Sequence, residues 1–222
     1  MKKIAAEFLG TFALVFAGTG AIVINDVSGG TITHIGIALT FGLVVLAMIY
    51  TLGDISGAHL NPAVTFGFYS ARRFSARDVL PYILAQCAGA LLASGILKLL
   101  FPAHQNLGAT HPAGSAMQTF VLETVLTFLL MFVVLNVSTG AKEKGATAGI
   151  AIGAVIGLEA MFAGPITGAS MNPARSFAPA LLSGQMADLW IYLAAPVLGA
   201  LVAVAACCCV REKGCCCAAR AN

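Results

Sequence analysis

Long apolar stretches separated by short polar segments make up most of the chain. Crossing a hydrocarbon layer about 30 Å thick takes about 20 residues of helix, and six of the apolar stretches reach that length. They cover residues 4–24, 34–52, 79–100, 116–137, 145–164 and 188–210. The pattern predicts six transmembrane helices.

Two shorter apolar runs, 61–70 and 172–182, begin with the same tripeptide. The two motifs are Asn61-Pro62-Ala63 and Asn172-Pro173-Ala174. Asn is a favoured helix N-cap, and Pro suits the first helical position because no hydrogen-bonding N–H is lost there. A helix of this length is about 15 Å long at 1.5 Å per residue, half of the hydrocarbon layer. Each run therefore predicts a re-entrant half-helix.

Composition and charge agree with a membrane protein of defined orientation. Apolar residues make up 59% of the chain, charged residues 9%, and the mean hydropathy is +0.92, which excludes an ordinary soluble domain. Most Lys and Arg residues fall at the termini or after the second and fourth spans, so both termini are expected in the cytoplasm. These residues are Lys2, Lys3, Arg72, Arg73, Arg77, Lys142, Lys144, Arg211, Lys213 and Arg220. No nucleic-acid partner is expected.

The chain repeats itself in two halves. Residues 6–12 in the first span resemble residues 122–128 in the fourth. Because each half holds three spans, the second half must be inverted, and the two half-helices meet with their N-termini near the membrane midplane. We predict repeat one over 1–110, repeat two over 116–210, together a channel domain of 1–210, and a cysteine-rich cytoplasmic tail over 211–222. Two positive dipole ends facing one cavity would admit neutral solutes and disfavour cations.

With two Asn-Pro-Ala motifs inside a six-span pattern, the chain resembles the aquaporin and glycerol-facilitator (major intrinsic protein) family over residues 4–210. The resemblance implies an all-α membrane protein with six transmembrane helices and two re-entrant half-helices in an inverted repeat. It also implies a homotetramer without enzyme activity or cofactor, each subunit passing water and small uncharged solutes but excluding protons and ions. The Lys-Lys start and short loops favour a bacterial chain of the inner cell membrane.

Selectivity residues follow from the same resemblance. Asn61 and Asn172 match the paired pore asparagines, and Arg175 matches the arginine of the outer constriction. The other three constriction positions fall on Phe41, Ala160 and Ala169. Water-only relatives carry His where Ala160 stands, so a wider, more apolar filter is expected, similar to that of plant nodulin-like proteins. The expected solutes are water and glycerol-like polyols, with neutral metalloid acids of the arsenite type as the alternative.

Four further polar residues are candidates for lining the pore or supporting its loops. A carboxylate within a span is costly, so Glu7 and Glu123 are expected to have buried partners. In the family, similar glutamates accept backbone N–H groups of the re-entrant loops, and Gln86 is expected to help. His59, two residues before Asn61, either lines the cytoplasmic side of the pore or makes a structural hydrogen bond.

Cysteines cluster at the C-terminal end, and no metal site is predicted elsewhere because no His pair has ligand spacing. The cluster consists of Cys207, Cys208, Cys209, Cys215, Cys216 and Cys217. Disulfides are not expected in a reducing cytoplasm. An incidental tail, soft-metal or metalloid binding by thiolates, and lipidation remain open. Metal binding to the tail would offer a second function, a channel gated at its cytoplasmic mouth.

Overall fold

The computed structural model describes residues 1–138 and 142–210, with no side chains described over 142–146. The described ranges form eight helices. These are α1 Lys2–Val27, α2 Thr33–Ser56, α3 Pro62–Ser70, α4 Ala76–Leu100, α5 Ala116–Val137, α6 Lys142–Thr167, α7 Pro173–Ser183 and α8 Leu189–Val210. Six are long and apolar enough to cross a membrane, and α3 and α7 are the two short ones. The predicted all-α architecture is confirmed.

Local signals account for several helix boundaries. The side chain of Ser75 accepts a hydrogen bond from the N–H of Arg77 at the start of α4, and Ser115 accepts one from Gln118 at the start of α5. Gly57 ends α2 in a left-handed conformation. These caps satisfy backbone groups that a helix end leaves unpaired, so the chain turns where the sequence predicts.

Glycines allow the long helices to pack with backbones in contact. A Cβ atom on Gly42 of α2 would lie 2.6 Å from the carbonyl oxygen of Gly153 on α6, and one on Gly153 would lie 2.7 Å from that of Gly42. The absence of a side chain at these two glycines therefore lets α2 and α6 pack backbone against backbone. Equivalent contacts join α1 to α4 at Gly89 and α5 to α8 at Gly199. Small residues have this role in membranes because they let two helix axes approach.

Large apolar side chains cover the outside of the bundle. Examples on four different helices are Leu39, Leu84, Leu129 and Leu201, each at least 40% exposed. Such a surface suits hydrocarbon rather than water, whereas polar side chains such as Gln86 and Thr127 are buried inside. The interior of the bundle therefore holds the polar chemistry of this protein.

Candidate pore

The two Asn-Pro-Ala motifs start the half-helices as predicted. Asn61 accepts a hydrogen bond at Oδ1 from the N–H of Ala63 at 2.8 Å. Asn172 accepts at Oδ1 from Ala174 at 3.0 Å and from Arg175 at 3.3 Å. Each Asn is thus held as an N-cap, with a Pro as the first residue of its helix.

Each capping Asn also bonds to the opposite loop. Asn61 donates from Nδ2 to the carbonyl oxygen of Met171 at 2.8 Å, and Asn172 donates from Nδ2 to the carbonyl oxygen of Leu60 at 2.9 Å. The pair links the two repeats at the point where the half-helices meet. One of the two Nδ2 hydrogens of each Asn is used in this way, and each amide nitrogen carries a second one.

The loops leading to the motifs have an unusual backbone. Three residues in each loop have positive φ, in matching order. They are Gly57, Ala58 and Leu60 in the first loop and Gly168, Ala169 and Met171 in the second, with φ between 41° and 86°. Non-glycine residues in this region cost roughly 1–3 kcal/mol each, so the surroundings must impose the conformation.

Glu7 of α1 holds the first loop. Its carboxylate accepts from the N–H of His59 at 2.9 Å and the N–H of Leu60 at 2.8 Å. It also accepts from Ser56 Oγ at 2.7 Å and from Gln86 Nε2 at 2.8 Å. A fully buried carboxylate is costly unless it is well hydrogen-bonded, and here four donors surround it.

Glu123 of α5 holds the second loop in the same way. It accepts from the N–H groups of Ser170 and Met171, both at 2.9 Å, and from Thr167 Oγ1 at 2.7 Å. No glutamine lies at the counterpart of Gln86, which is Pro196, 110 residues further on. The two buried glutamates therefore support equivalent loops with unequal sets of donors.

Two tyrosines complete the support, and their role did not emerge from the sequence. Tyr82 donates from its hydroxyl to the carbonyl oxygen of Ser56 at 2.9 Å, and Tyr192 donates to that of Thr167 at 2.8 Å. Both bonds hold the residue that ends the helix before a loop. The signal was available in the 110-residue spacing of the tyrosines, because it lies close to the 111-residue spacing of the two Asn-Pro-Ala motifs.

A single cavity connects these features. Its volume is about 890 Å³, and it is lined from Lys3, Asp54 and Ser138 at one end to Phe41 and Arg175 at the other. Asn61 and Asn172 line it between these ends. Lys3 lies at the start of α1, and Asp54 and Ser138 lie at the ends of α2 and α5, so this end of the cavity is at one membrane face. From there the cavity follows the long axis of the bundle past the motifs.

All four residues assigned to the filter line this cavity: Phe41, Ala160, Ala169 and Arg175. Arg175 is 2% exposed and donates from Nη1 to the carbonyl oxygen of Gly108 at 2.9 Å. Its Cζ lies 5.1 Å from the ring centroid of Phe41, a cation–π distance. Its Nε has no hydrogen-bond partner among the described residues. The guanidinium is therefore fixed in direction yet retains donor capacity.

His59 lines the same cavity, and it also makes a structural contact. Its Nδ1 lies 3.1 Å from Thr65 Oγ1, and its ring lies against Phe68, Phe74 and Tyr82 with centroid separations of 4.7, 4.8 and 5.2 Å. The two roles weighed for His59 are thus compatible, since an aromatic cluster holds the ring at the cavity wall.

The cysteine cluster differs from expectation where the structure describes it. Cys207 and Cys208 are disulfide-bonded, so the expectation of reduced thiols is wrong for these two residues, and neither is available as a thiolate ligand. Cys209 is free and exposed, and Cys215, Cys216 and Cys217 lie outside the described residues. No group of potential metal ligands forms within the described part of the chain.

Six apolar spans around a cavity along the bundle axis, with two half-helices meeting inside it, define a membrane channel for small solutes. The family model of the major intrinsic proteins matches residues 1–206. The chain belongs to this family, and it is a channel for water and small solutes.

Comparison with individual proteins places the chain near the nodulin-like branch. It is 50% identical over 201 residues to rice (Oryza sativa subsp. japonica) "Aquaporin NIP1-1", with 90% of this chain and 71% of the relative covered. It is 48% identical over 202 residues to soybean (Glycine max) "Nodulin-26", covering 90% and 74%. The solved aquaglyceroporin of Plasmodium falciparum superposes with a TM-score of 0.83 at 28% identity, covering 91% of this chain and 93% of that one. The predicted nodulin-like resemblance is confirmed.

Proposed function

We propose that this channel passes water and small uncharged polyols of the glycerol kind through the cavity described above, and excludes protons and ions. The route leads past Asn61 and Asn172 and through the filter of Phe41, Ala160, Ala169 and Arg175. The observation that carries the proposal is that these four filter residues line one cavity together with both asparagines.

The motif region supports selection against charge. The N-termini of α3 and α7 meet there, so two positive dipole ends oppose a cation. The second amide hydrogen of each Asn orients a passing oxygen atom as a hydrogen-bond acceptor. A water molecule whose oxygen accepts from both asparagines still donates its own hydrogens along the file but cannot accept from the neighbouring waters, which interrupts proton transfer.

Small residues in the filter support passage of polyols. Ala160 and Ala169 end at Cβ, which leaves width opposite the half-buried ring of Phe41. The hydroxyl groups of a polyol would accept from Arg175 while its carbon skeleton contacts the ring. A histidine in place of Ala160 would remove this width and add a polar wall.

Stopped-flow light scattering on proteoliposomes tests the proposal. Fast shrinkage in an impermeant osmolyte with fast re-swelling in a glycerol gradient is the expected result. Ala160→His should lower glycerol permeability more than water permeability. Ala148→His is the matched control, because Ala148 lies on the same helix and lines the cavity away from the filter. Equal loss of both permeabilities in Ala160→His would contradict the assignment of Ala160.

Neutral metalloid acids are the second candidate class of solute. The small side chain of Ala160 favours them for the same reason that it favours polyols. Uptake of radiolabelled arsenite into the same proteoliposomes separates the two classes.

Gating by metal at the tail is tested by truncation after Cys209, since gating requires that the metal sensitivity of the flux disappear in the shortened chain.

Assembly and orientation complete the proposal. The channel is expected to form a homotetramer in the inner cell membrane with both termini in the cytoplasm, as the distribution of Lys and Arg indicates. Cross-linking in membranes tests the tetramer. Cys209, which is exposed at the end of α8, should react with a membrane-impermeant maleimide in inverted vesicles and not in intact cells.

A further inference from the structure

Phe41 contacts the backbone of α1 directly. A Cβ atom placed on Gly18 would lie 2.5 Å from Cδ1 and 2.6 Å from Cζ of the Phe41 ring. Real side chains do not approach so closely, so the ring occupies the space that any other residue at position 18 would need. Gly18 has ordinary helical geometry, and its lack of a side chain serves packing rather than backbone conformation.

The position of the ring determines how far it enters the cavity. Phe41 lines the cavity, whereas Gly18 is not among the described residues that do. The ring therefore stands between α1 and the cavity. Any atom added at Gly18 displaces the ring away from α1, towards the space that Ala160 and Ala169 leave open.

Thr19, the next residue of α1, lies against the segment that orients the arginine of the filter. A Cβ atom on Gly108 would lie 2.8 Å from Cβ of Thr19, so the Gly108 segment rests against α1 as well. The carbonyl oxygen of Gly108 is the acceptor that orients Arg175. Two consecutive residues of α1 thus support the filter: Gly18 contacts the ring of Phe41, and Thr19 contacts the segment that orients Arg175.

We infer that Gly18 is a positioning residue that sets the width of the filter by giving the Phe41 ring a place against α1. This inference rests on the proposed route through the filter and names a residue outside the cavity that controls its selectivity. A side chain at position 18 should shift the channel from polyols towards water.

The test compares Gly18→Ala, Phe41→Ala and the double variant by water and glycerol permeability in proteoliposomes of equal channel content. In Gly18→Ala the ratio of glycerol to water permeability should fall by about tenfold or more, the lower range of discrimination by one methylene-sized group. In the double variant the ratio should equal that of Phe41→Ala, because the ring that carries the effect is absent.

Gly20→Ala is the matched control. It lies on the same helix, and its added Cβ would meet only Leu97 at 3.4 Å, an ordinary contact. Its permeability ratio should remain that of the wild type. Two results would overturn the inference. One is an unchanged permeability ratio in Gly18→Ala. The other is that adding Gly18→Ala to Phe41→Ala lowers the ratio as much as adding it to the wild type.

Two further outcomes keep the test decisive. If Gly18→Ala does not assemble, Gly18→Ala/Phe41→Leu replaces it, because the smaller side chain lessens the overlap without removing it. The remaining overlap must then bring its ratio below that of Phe41→Leu alone. If the wild type passes water but no glycerol, the polyol proposal fails. Water permeability alone then tests the role of Gly18. Gly18→Ala must lower the water permeability, and adding Phe41→Ala must restore it.

Discussion

Three glutamates are buried in the bundle, and their side chains are alike whereas their hydrogen bonds differ. Glu7 accepts four hydrogen bonds, Glu123 accepts three, and Glu159 accepts none from the described residues. All three are 0% exposed. Replacing each by Gln keeps the shape, removes the charge and turns one acceptor oxygen into a donor.

The expected losses follow from which oxygen is replaced. In Glu123→Gln the remaining oxygen keeps the hydrogen bonds donated by Thr167 and Ser170, and the new amide group faces only the N–H of Met171. One bond to a charged group is lost, about 1.5–3 kcal/mol of the free energy of unfolding. In Glu7→Gln either orientation puts the amide group opposite two donors, so about 3–6 kcal/mol is expected. Glu159→Gln breaks no hydrogen bond within the described chain and should cost least.

Thermal unfolding in detergent and water permeability in proteoliposomes measure the effect. The midpoint should fall most for Glu7→Gln, less for Glu123→Gln and least for Glu159→Gln, and permeability should follow the same order because the two loops form the cavity wall. Glu159→Gln is the control for removing a buried carboxylate as such. A fall for Glu159→Gln as large as that for Glu123→Gln would refute the reasoning from hydrogen bonds.

Other predictions concern single contacts. Asn61→Ala removes an N-cap and the bond to Met171, so a loss of about 1–3 kcal/mol in stability is expected together with reduced water permeability; unchanged thermal unfolding would contradict the cross-loop bond. Tyr82→Phe removes one bond to the backbone of Ser56 and should lower stability by about 0.5–1.5 kcal/mol with little change in flux, as thermal unfolding and stopped flow would show. Mercuric ion should leave the wild type open, since neither free cysteine of the described chain lines the cavity, and should block Ala169→Cys; block of the wild type at low concentration would count against the assigned route.

Sequence patterns determined the elements and their arrangement in two halves. Hydropathy over a window of about 20 residues reports a membrane span without knowledge of its neighbours. The Asn-Pro pairs start α3 and α7 because capping involves only residues within one turn. The inversion follows from counting three spans per half. These properties are local or additive along the chain, and that is why they could be predicted.

Tertiary structure alone decided how the parts meet. The bond from Asn61 to Met171 joins residues 110 positions apart, and nothing near either residue indicates it. The contact of Phe41 with Gly18 likewise depends on how α1 and α2 are rotated about their axes. Resemblance placed Phe41 and Ala160 in a filter, but the width between them depends on what lies behind the ring. Close packing between distant segments sets such distances, so the sequence determined which residues surround the cavity and the packing determined the space between them.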